Sequence, residues 1–303
     1  MKSSLLWIAI AVACPAQICQ PVGLFSKSAD PALAASGTLC PEALGDLLGF
    51  AMANYVGNDL SRVADPAEFA SYKEKSAREF LLQFAEGGGK SPRVRVRLPA
   101  GFGQSAKKFT LVIAMHGAAG SENTFLDSPF VEELPTRNLV RRYADQDGYV
   151  VAAPLNMHVK GCFGLTFDES PWGGEVLALA RWIKALLPDR IGKTMLMGHS
   201  QGGRGALSLA LRNPGEFAAV AVFAPFDPFR SAAPDDLKSA NMPPVFYAQG
   251  GLDPISLPPC ANEWIKAARK QGVVVERRLV PAGHGLVGPM SIRAAFEFLR
   301  EYR

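Results

Sequence analysis

A chain of 303 residues, 48% hydrophobic and 20% charged, can bury the core of one large α/β domain with extensions, and two full domains are not expected. Its formal net charge of +4 is small for that length, and Lys and Arg are scattered among Asp and Glu, so nucleic acid is not an implied partner. The cysteines at 14, 19, 40, 162 and 260 include no C-x-x-C pair, which argues against a zinc or redox site, and no metal is expected.

Residues 1–13 have the outline of a signal peptide. Lys2 gives a positive start, Leu5 to Val12 form an apolar segment too short to span a bilayer, and Ala11-Val12-Ala13 fits a small-residue cleavage site. The same stretch resembles a bacterial lipobox, although Ala11 stands where Leu is usual, and this makes Cys14 the alternative lipid anchor. Export, periplasmic or extracellular, is the expectation, and disulfides are permitted in such compartments. Residues 14–37, rich in Pro, Ala and Ser toward their end, read as a flexible leader.

Residues 38–90 read as a helical extension. Leu44, Leu47, Leu48 and Ala51 recur at helical spacing, and Ala67, Ala70, Tyr72, Ala77, Phe80, Leu81 and Phe84 suggest a second amphipathic helix, stopped by Gly87-Gly88-Gly89. The main domain is then expected over 91–303. It opens with Arg93-Val94-Arg95-Val96-Arg97-Leu98, whose alternation predicts a half-exposed edge strand with solvated arginines; an anion patch is the alternative.

The pattern becomes regular from there: strand 110–115, helix 138–146, strand 149–153, helix 174–187, strand 194–197, helix 202–212, strands 219–223 and 245–248, helix 261–270, strand 273–280 and a last helix from about 289 to 300. Apolar strands alternating with helices predict a mostly parallel, doubly wound sheet with helices on both faces. In such sheets chemistry collects in the loops at the carboxyl ends of the strands.

One of those loops reads Gly198-His199-Ser200-Gln201-Gly202-Gly203, between an apolar strand and an Ala/Leu-rich helix. The G-x-S-x-G pattern places a serine on a tight strand-to-helix turn, with glycines at Gly198 and Gly202 where side chains would collide. Ser200 is therefore the candidate nucleophile, and the first amides of the following helix point toward a developing oxyanion. A serine hydroxyl needs a base, itself oriented by a carboxylate. Of the histidines at 116, 158, 199 and 284, only His284 stands in a Gly-rich turn after the last predicted strand, and His199 reads as a packing residue. Asp253, in the Gly-Gly-Leu-Asp-Pro turn after strand 245–248, is the candidate carboxylate, with Asp227 as its rival. The run His116-Gly117-Ala118-Ala119-Gly120 ends an earlier strand with small residues, so the amides of Ala118 and Gln201 are assigned as oxyanion donors while His116 braces the loop.

Together these residues resemble the α/β-hydrolase superfamily, in particular secreted esterases related to polyhydroxybutyrate depolymerases, feruloyl esterases and the hydrolase domain of prolyl oligopeptidase-like proteins. The resemblance spans residues 93–303 and rests on His116-Gly117 with Gly120, Gly198 to Gly203, Asp253 in the Ser, Asp, His order, and His284, with Tyr149-Val150-Val151-Ala152-Ala153-Pro154 as a further familiar stretch. It implies a serine esterase using two-step acyl transfer on a small or polymer-linked ester, with no cofactor. A serine peptidase and a binding protein on a decayed hydrolase fold are the alternatives. Loops 156–172 and 255–261 are expected to line the pocket, with Phe163, Phe167 and Trp172 as apolar walls or core residues. A disulfide between Cys162 and Cys260 would pin its rim. The short 200–284 interval holds no lipase-like lid, which favours short acyl chains or aromatic acids, although the 38–90 extension is a candidate cover.

Overall fold

The computed structural model describes residues 62–84, 93–117, 120–127, 132–133, 137–155, 172–226, 228–231, 233, 236–238 and 241–303. Its strands are the apolar runs of the sequence. Phe109–Met115 (β3), Tyr149–Pro154 (β6) and Val245–Gly250 (β9) are buried along their whole length, as strands covered on both faces must be. With Arg78–Gln83 (β1), Arg93–Leu98 (β2), Ile191–His199 (β7), Val220–Phe223 (β8) and Val275–Val280 (β10) they form an eight-stranded sheet in the order β1-β2-β6-β3-β7-β8-β9-β10. The pairs β1/β2 and β2/β6 are antiparallel and the rest parallel. Glu132–Glu133 (β4) and Arg137–Asn138 (β5) form a separate small ladder.

Helices cover both faces because alternate strand residues point to opposite sides. On one side Leu111, Ile113 and Met115 pack with Pro66–Ala70 (α1), Trp172–Leu186 (α4), Gln201–Arg212 (α5) and Pro258–Lys270 (α7). On the other, Val112 and Ala114 pack with Thr124–Asp127 (α2), Leu139–Asp147 (α3) and Val287–Arg300 (α8). A further short helix, Pro228–Ser231 (α6), follows β8. Local signals set the boundaries: Asn138 Oδ1 accepts from the Arg141 amide at the start of α3, and Gly148 ends it at φ 72°.

Two expectations are corrected at the first edge. The stretch expected to complete a second helix is β1: Phe80, Leu82 and Phe84 alternate into the core while Glu79 lies on the other face. Ala77, Phe80, Leu81 and Phe84 also satisfy a helical period, but the chain turns after α1 and pairs with β2. Of the expected extension, residues 38–61 and 85–90 lie outside the described residues.

Because β1 takes the edge, β2 is an interior strand, and of its arginines only Arg93 is solvated. Arg95 is 1% exposed. It donates to Glu79 and Asp127 and, at 2.9 Å, to Asn123 Oδ1, while Arg97 joins Glu79 to Asp145 and Arg141 joins Glu79 to Asp127. The carboxylates of the chain itself thus occupy the positions that an anion-binding patch would need free. Burial would raise the Glu79 carboxyl, but hydrogen bonds from Arg141 and the charges of Arg95 and Arg141 overcome it and lower its pKa from 4.5 to about 2.

A depressed carboxyl contributes stability above its unfolded pKa and loses it as pH falls through the folded value. Glu79 should therefore contribute about 3 kcal/mol at neutral pH, lost between about pH 4.5 and pH 2. Glu79→Gln is expected to lower the urea-unfolding free energy by about 3 kcal/mol at pH 7, with the deficit shrinking as the pH is lowered toward 3. An unchanged midpoint at pH 7 would contradict the assignment.

Candidate active site

The loops after β3, β7, β9 and β10 converge at the carboxyl end of the parallel strands, beside β3, where the strand order reverses. Ser200, between β7 and α5, has φ 53° and ψ −116°, a conformation that L-residues seldom adopt and that stores about 1–3 kcal/mol of strain. The surrounding backbone holds it there. Its amide donates to the Phe223 carbonyl at 3.0 Å, and its carbonyl accepts from the amides of Arg204 at 2.9 Å and Phe226 at 3.0 Å.

The glycines on either side let three backbones meet. A Cβ on Gly202 would lie inside the Met115 carbonyl at the end of β3, and one on Gly198 inside the carbonyl of Gly202. Strand, turn and helix are thereby locked together with the amide of Gln201 in the first turn of the 12-residue α5. The loop after β3 comes equally close: a Cβ on Gly117 would sit 3.1 Å from Ser200 Cβ and 3.0 Å from His199 Nδ1. Ala118, assigned as the second oxyanion donor, lies outside the described residues.

His284 follows β10 and Asp253 follows β9, and the two meet. His284 Nδ1–H donates to Asp253 Oδ2 at 2.8 Å, with both side chains buried. Asp253 Oδ1 accepts from the amides of Ile255 at 2.8 Å and Ser256 at 2.9 Å, so the carboxylate is held by its own turn as well as by the imidazole. With Nδ1 committed to the carboxylate, the second nitrogen, Nε2, is the basic one. Asp227, the rival acid, lies outside the described residues.

Two polar residues that the sequence reading missed brace this turn. Gln249, fully buried at the end of β9, donates through Nε2 to the Ser256 carbonyl at 2.6 Å and lies 3.5 Å from Asp253 Oδ2. Ser256 Oγ donates to the Pro225 carbonyl at 2.9 Å, linking the acid turn to the loop after β8. The available signal was a single amide residue in the otherwise apolar run Val-Phe-Tyr-Ala-Gln-Gly.

The other two described histidines hold backbone. His116 Nδ1–H donates to the Gly117 carbonyl at 2.7 Å, and burial lowers its pKa to about 4, so it is neutral at pH 7. His199 Nε2–H donates to the carbonyl of His284 at 3.1 Å, with the two rings 4.9 Å apart. Burial, aided by the neighbouring His284, lowers the His199 pKa to about 4 as well. A neutral imidazole there props the His284 loop without placing a second positive charge beside it.

Around the rim, Pro258–Lys270 is helix, so Cys260 stands in the first turn of α7 and not in a loop as expected. Pro258 and Pro259 begin the helix where their missing N–H groups leave nothing unpaired. Cys260 is disulfide-bonded, and the chain's other four cysteines, Cys162 among them, lie outside the described residues. Residues 156–171, with Phe163 and Phe167, are also outside them, and Trp172 opens α4.

The arrangement of strands and loops has known counterparts. A ferulic acid esterase matches with a TM-score of 0.61 at 18% identity, over 75% of this chain and 100% of its own. FphF, a fluorophosphonate-binding serine hydrolase of Staphylococcus aureus, matches with 0.60 at 15% identity over 74% and 99%. An S-formylglutathione hydrolase of Agrobacterium tumefaciens matches with 0.58 at 18% identity over 76% and 97%. The chain has the α/β-hydrolase fold. Within this hydrolase fold, residues 177–266 match the Esterase family; that segment includes the Ser200 turn and the Asp253 turn. The esterase resemblance read from the sequence and these comparisons agree.

Proposed function

We propose that the chain is an exported serine hydrolase that cleaves carboxylic esters through an acyl-enzyme on Ser200. The observation that carries this reading is the buried 2.8 Å pair of His284 Nδ1 and Asp253 Oδ2 in loops adjoining the strained Ser200 turn. Ser200 Oγ attacks the ester carbonyl as its proton passes to His284 Nε2, and the carbonyl oxygen becomes an oxyanion facing the amides of Gln201 and Ala118. The intermediate collapses, the C–O bond to the alcohol breaks, and His284 returns the proton to the departing alkoxide. Water then repeats the sequence on the acyl-enzyme, releasing the acid and restoring the Ser200 hydroxyl. Asp253 stays ionised, holds the imidazole tautomer and stabilises its cation.

Export is supported by Lys2 and the apolar run that follows it, and by the disulfide at Cys260, since such bonds persist in oxidising compartments. For the substrate, soluble esters of short or aromatic acids fit best, because the sequence between Ser200 and His284 contains no long apolar insertion. A chain-length series of p-nitrophenyl esters, with and without an oil-water interface, tests this. Turnover should peak at acetate to butyrate and be indifferent to the interface. Activity that rises toward palmitate and jumps at the interface would overturn the substrate reading, and no turnover of any ester would overturn the esterase itself.

A further inference from the structure

We propose that the free edge of β10 is a self-association surface, through which two copies of this chain join their sheets by antiparallel β10 to β10 pairing centred on Arg277. The sheet order ends at β10, and among the described residues no strand lies beyond it. The carbonyls of Val274 and Val280 accept from the amides of Val245 and Gly251 at 2.8 Å each, so the even-numbered residues turn their peptide groups toward β9. By strand alternation Val275, Arg277 and Leu279 turn theirs outward, where another strand could take them. The middle of the strand, Glu276 to Leu279, is exposed throughout, and it is flanked by apolar surface: Val274 is 57% and Leu279 51% exposed. An edge of this kind is a template for pairing unless charge prevents it.

The charges here select one register. A two-fold axis perpendicular to the sheet keeps each helical layer on its own side, so residues facing one another across the axis share odd or even parity. Centring on Glu276 sets Glu against Glu, and centring on Arg278 sets Arg against Arg with the remaining arginines against leucines. Centring on Arg277 sets Glu276 of each copy against Arg278 of the other and Val275 against Leu279, at the expense of a single Arg277 to Arg277 contact. In that register the outward peptide groups of Val275, Arg277 and Leu279 form the hydrogen-bonded pairs, and Glu276 with Arg278 falls in the closer, non-hydrogen-bonded pairs. Glu297 of α8 and Glu301 just beyond its end add negative charge beside Glu276, which favours the arginine of the second copy at that position.

The experiment is sedimentation velocity on the purified protein over a micromolar concentration range. Wild type should sediment as a dimer. Glu276→Arg and Arg278→Glu should each weaken association by more than about tenfold, since two favourable pairs become repulsive. The double variant should restore the dimer, because it recreates the pairs with the signs exchanged. Ester turnover should be unchanged in all three, which separates loss of pairing from loss of fold. A monomeric wild type would overturn the proposal and leave the edge to a different chain, and so would a dimer indifferent to both single changes or a double variant no better than either.

Discussion

Ser200→Ala is expected to lower kcat for p-nitrophenyl acetate by about 10⁵-fold or more, and His284→Ala by a similar factor. The two losses should not add. Without the serine there is no nucleophile for the imidazole to activate, and without the imidazole the hydroxyl is a weak nucleophile at neutral pH, so each change removes the same step. The double variant should fall within about tenfold of either single one. Residual hydrolysis above the rate in water would come from the amides of the α5 N-terminus and from substrate binding, which neither change touches. His284→Ala should lose some stability, because it leaves the buried Asp253 carboxylate without its imidazole partner. Ser200→Ala keeps the Cβ on which the strained turn is built, so thermal unfolding near the wild-type midpoint is the control that makes the kinetic comparison meaningful.

Asp253→Asn is expected to lower kcat by about 10⁴-fold with little change in KM. The carboxylate accepts from His284 Nδ1 at 2.8 Å, which keeps the proton on that nitrogen and leaves Nε2 basic. An amide at this position can satisfy the amides of Ile255 and Ser256 with its oxygen, and its NH₂ then faces Nδ1. The imidazole turns to the other tautomer, and the proton stands where the base is needed. Asp253→Ala should be comparably severe in kcat and should also loosen the turn held by Gln249 and Ser256. Should Asp227→Asn prove the damaging change while Asp253→Asn stays active, the carboxylate assigned here would be the wrong one.

The readable parts of the sequence were those in which one short segment carries its own geometric demand. Gly198 and Gly202 around Ser200 are needed because backbone from β3 and α5 lies where side chains would be, and that demand appears within five residues. His284 emerged because few histidines compete for the role. Asp253 is preferred to Asp227 in the sequence for its sharp Gly-Gly-Leu-Asp-Pro turn, but its proximity to His284 is a property of the folded sheet alone. Gln249 and Ser256 escaped for the same reason, as their partners are brought in by β9 and by the loop after β8.

The first edge of the sheet was misread for a different reason. Phe80, Leu81 and Phe84 fit a helical stripe, while Phe80, Leu82 and Phe84 fit a strand, and the choice is made by β2 as a pairing partner. Arg95 then follows: an alternating strand with three arginines looks solvated until Glu79, Asp127 and Asp145 are brought against it from β1, α2 and α3. In each case a tertiary partner, invisible in local periodicity, overrides the local pattern.

The acyl-enzyme on Ser200 is tested most directly by intact-protein mass spectrometry after reaction with a fluorophosphonate probe, followed by peptide mapping. One adduct per chain is predicted, on the peptide containing Ser200. It should be absent in Ser200→Ala and should form at least about 10³-fold more slowly in His284→Ala, where the hydroxyl has lost its base. A chain that stays unmodified while hydrolysing esters, or an adduct that maps elsewhere and persists in Ser200→Ala, would contradict the account.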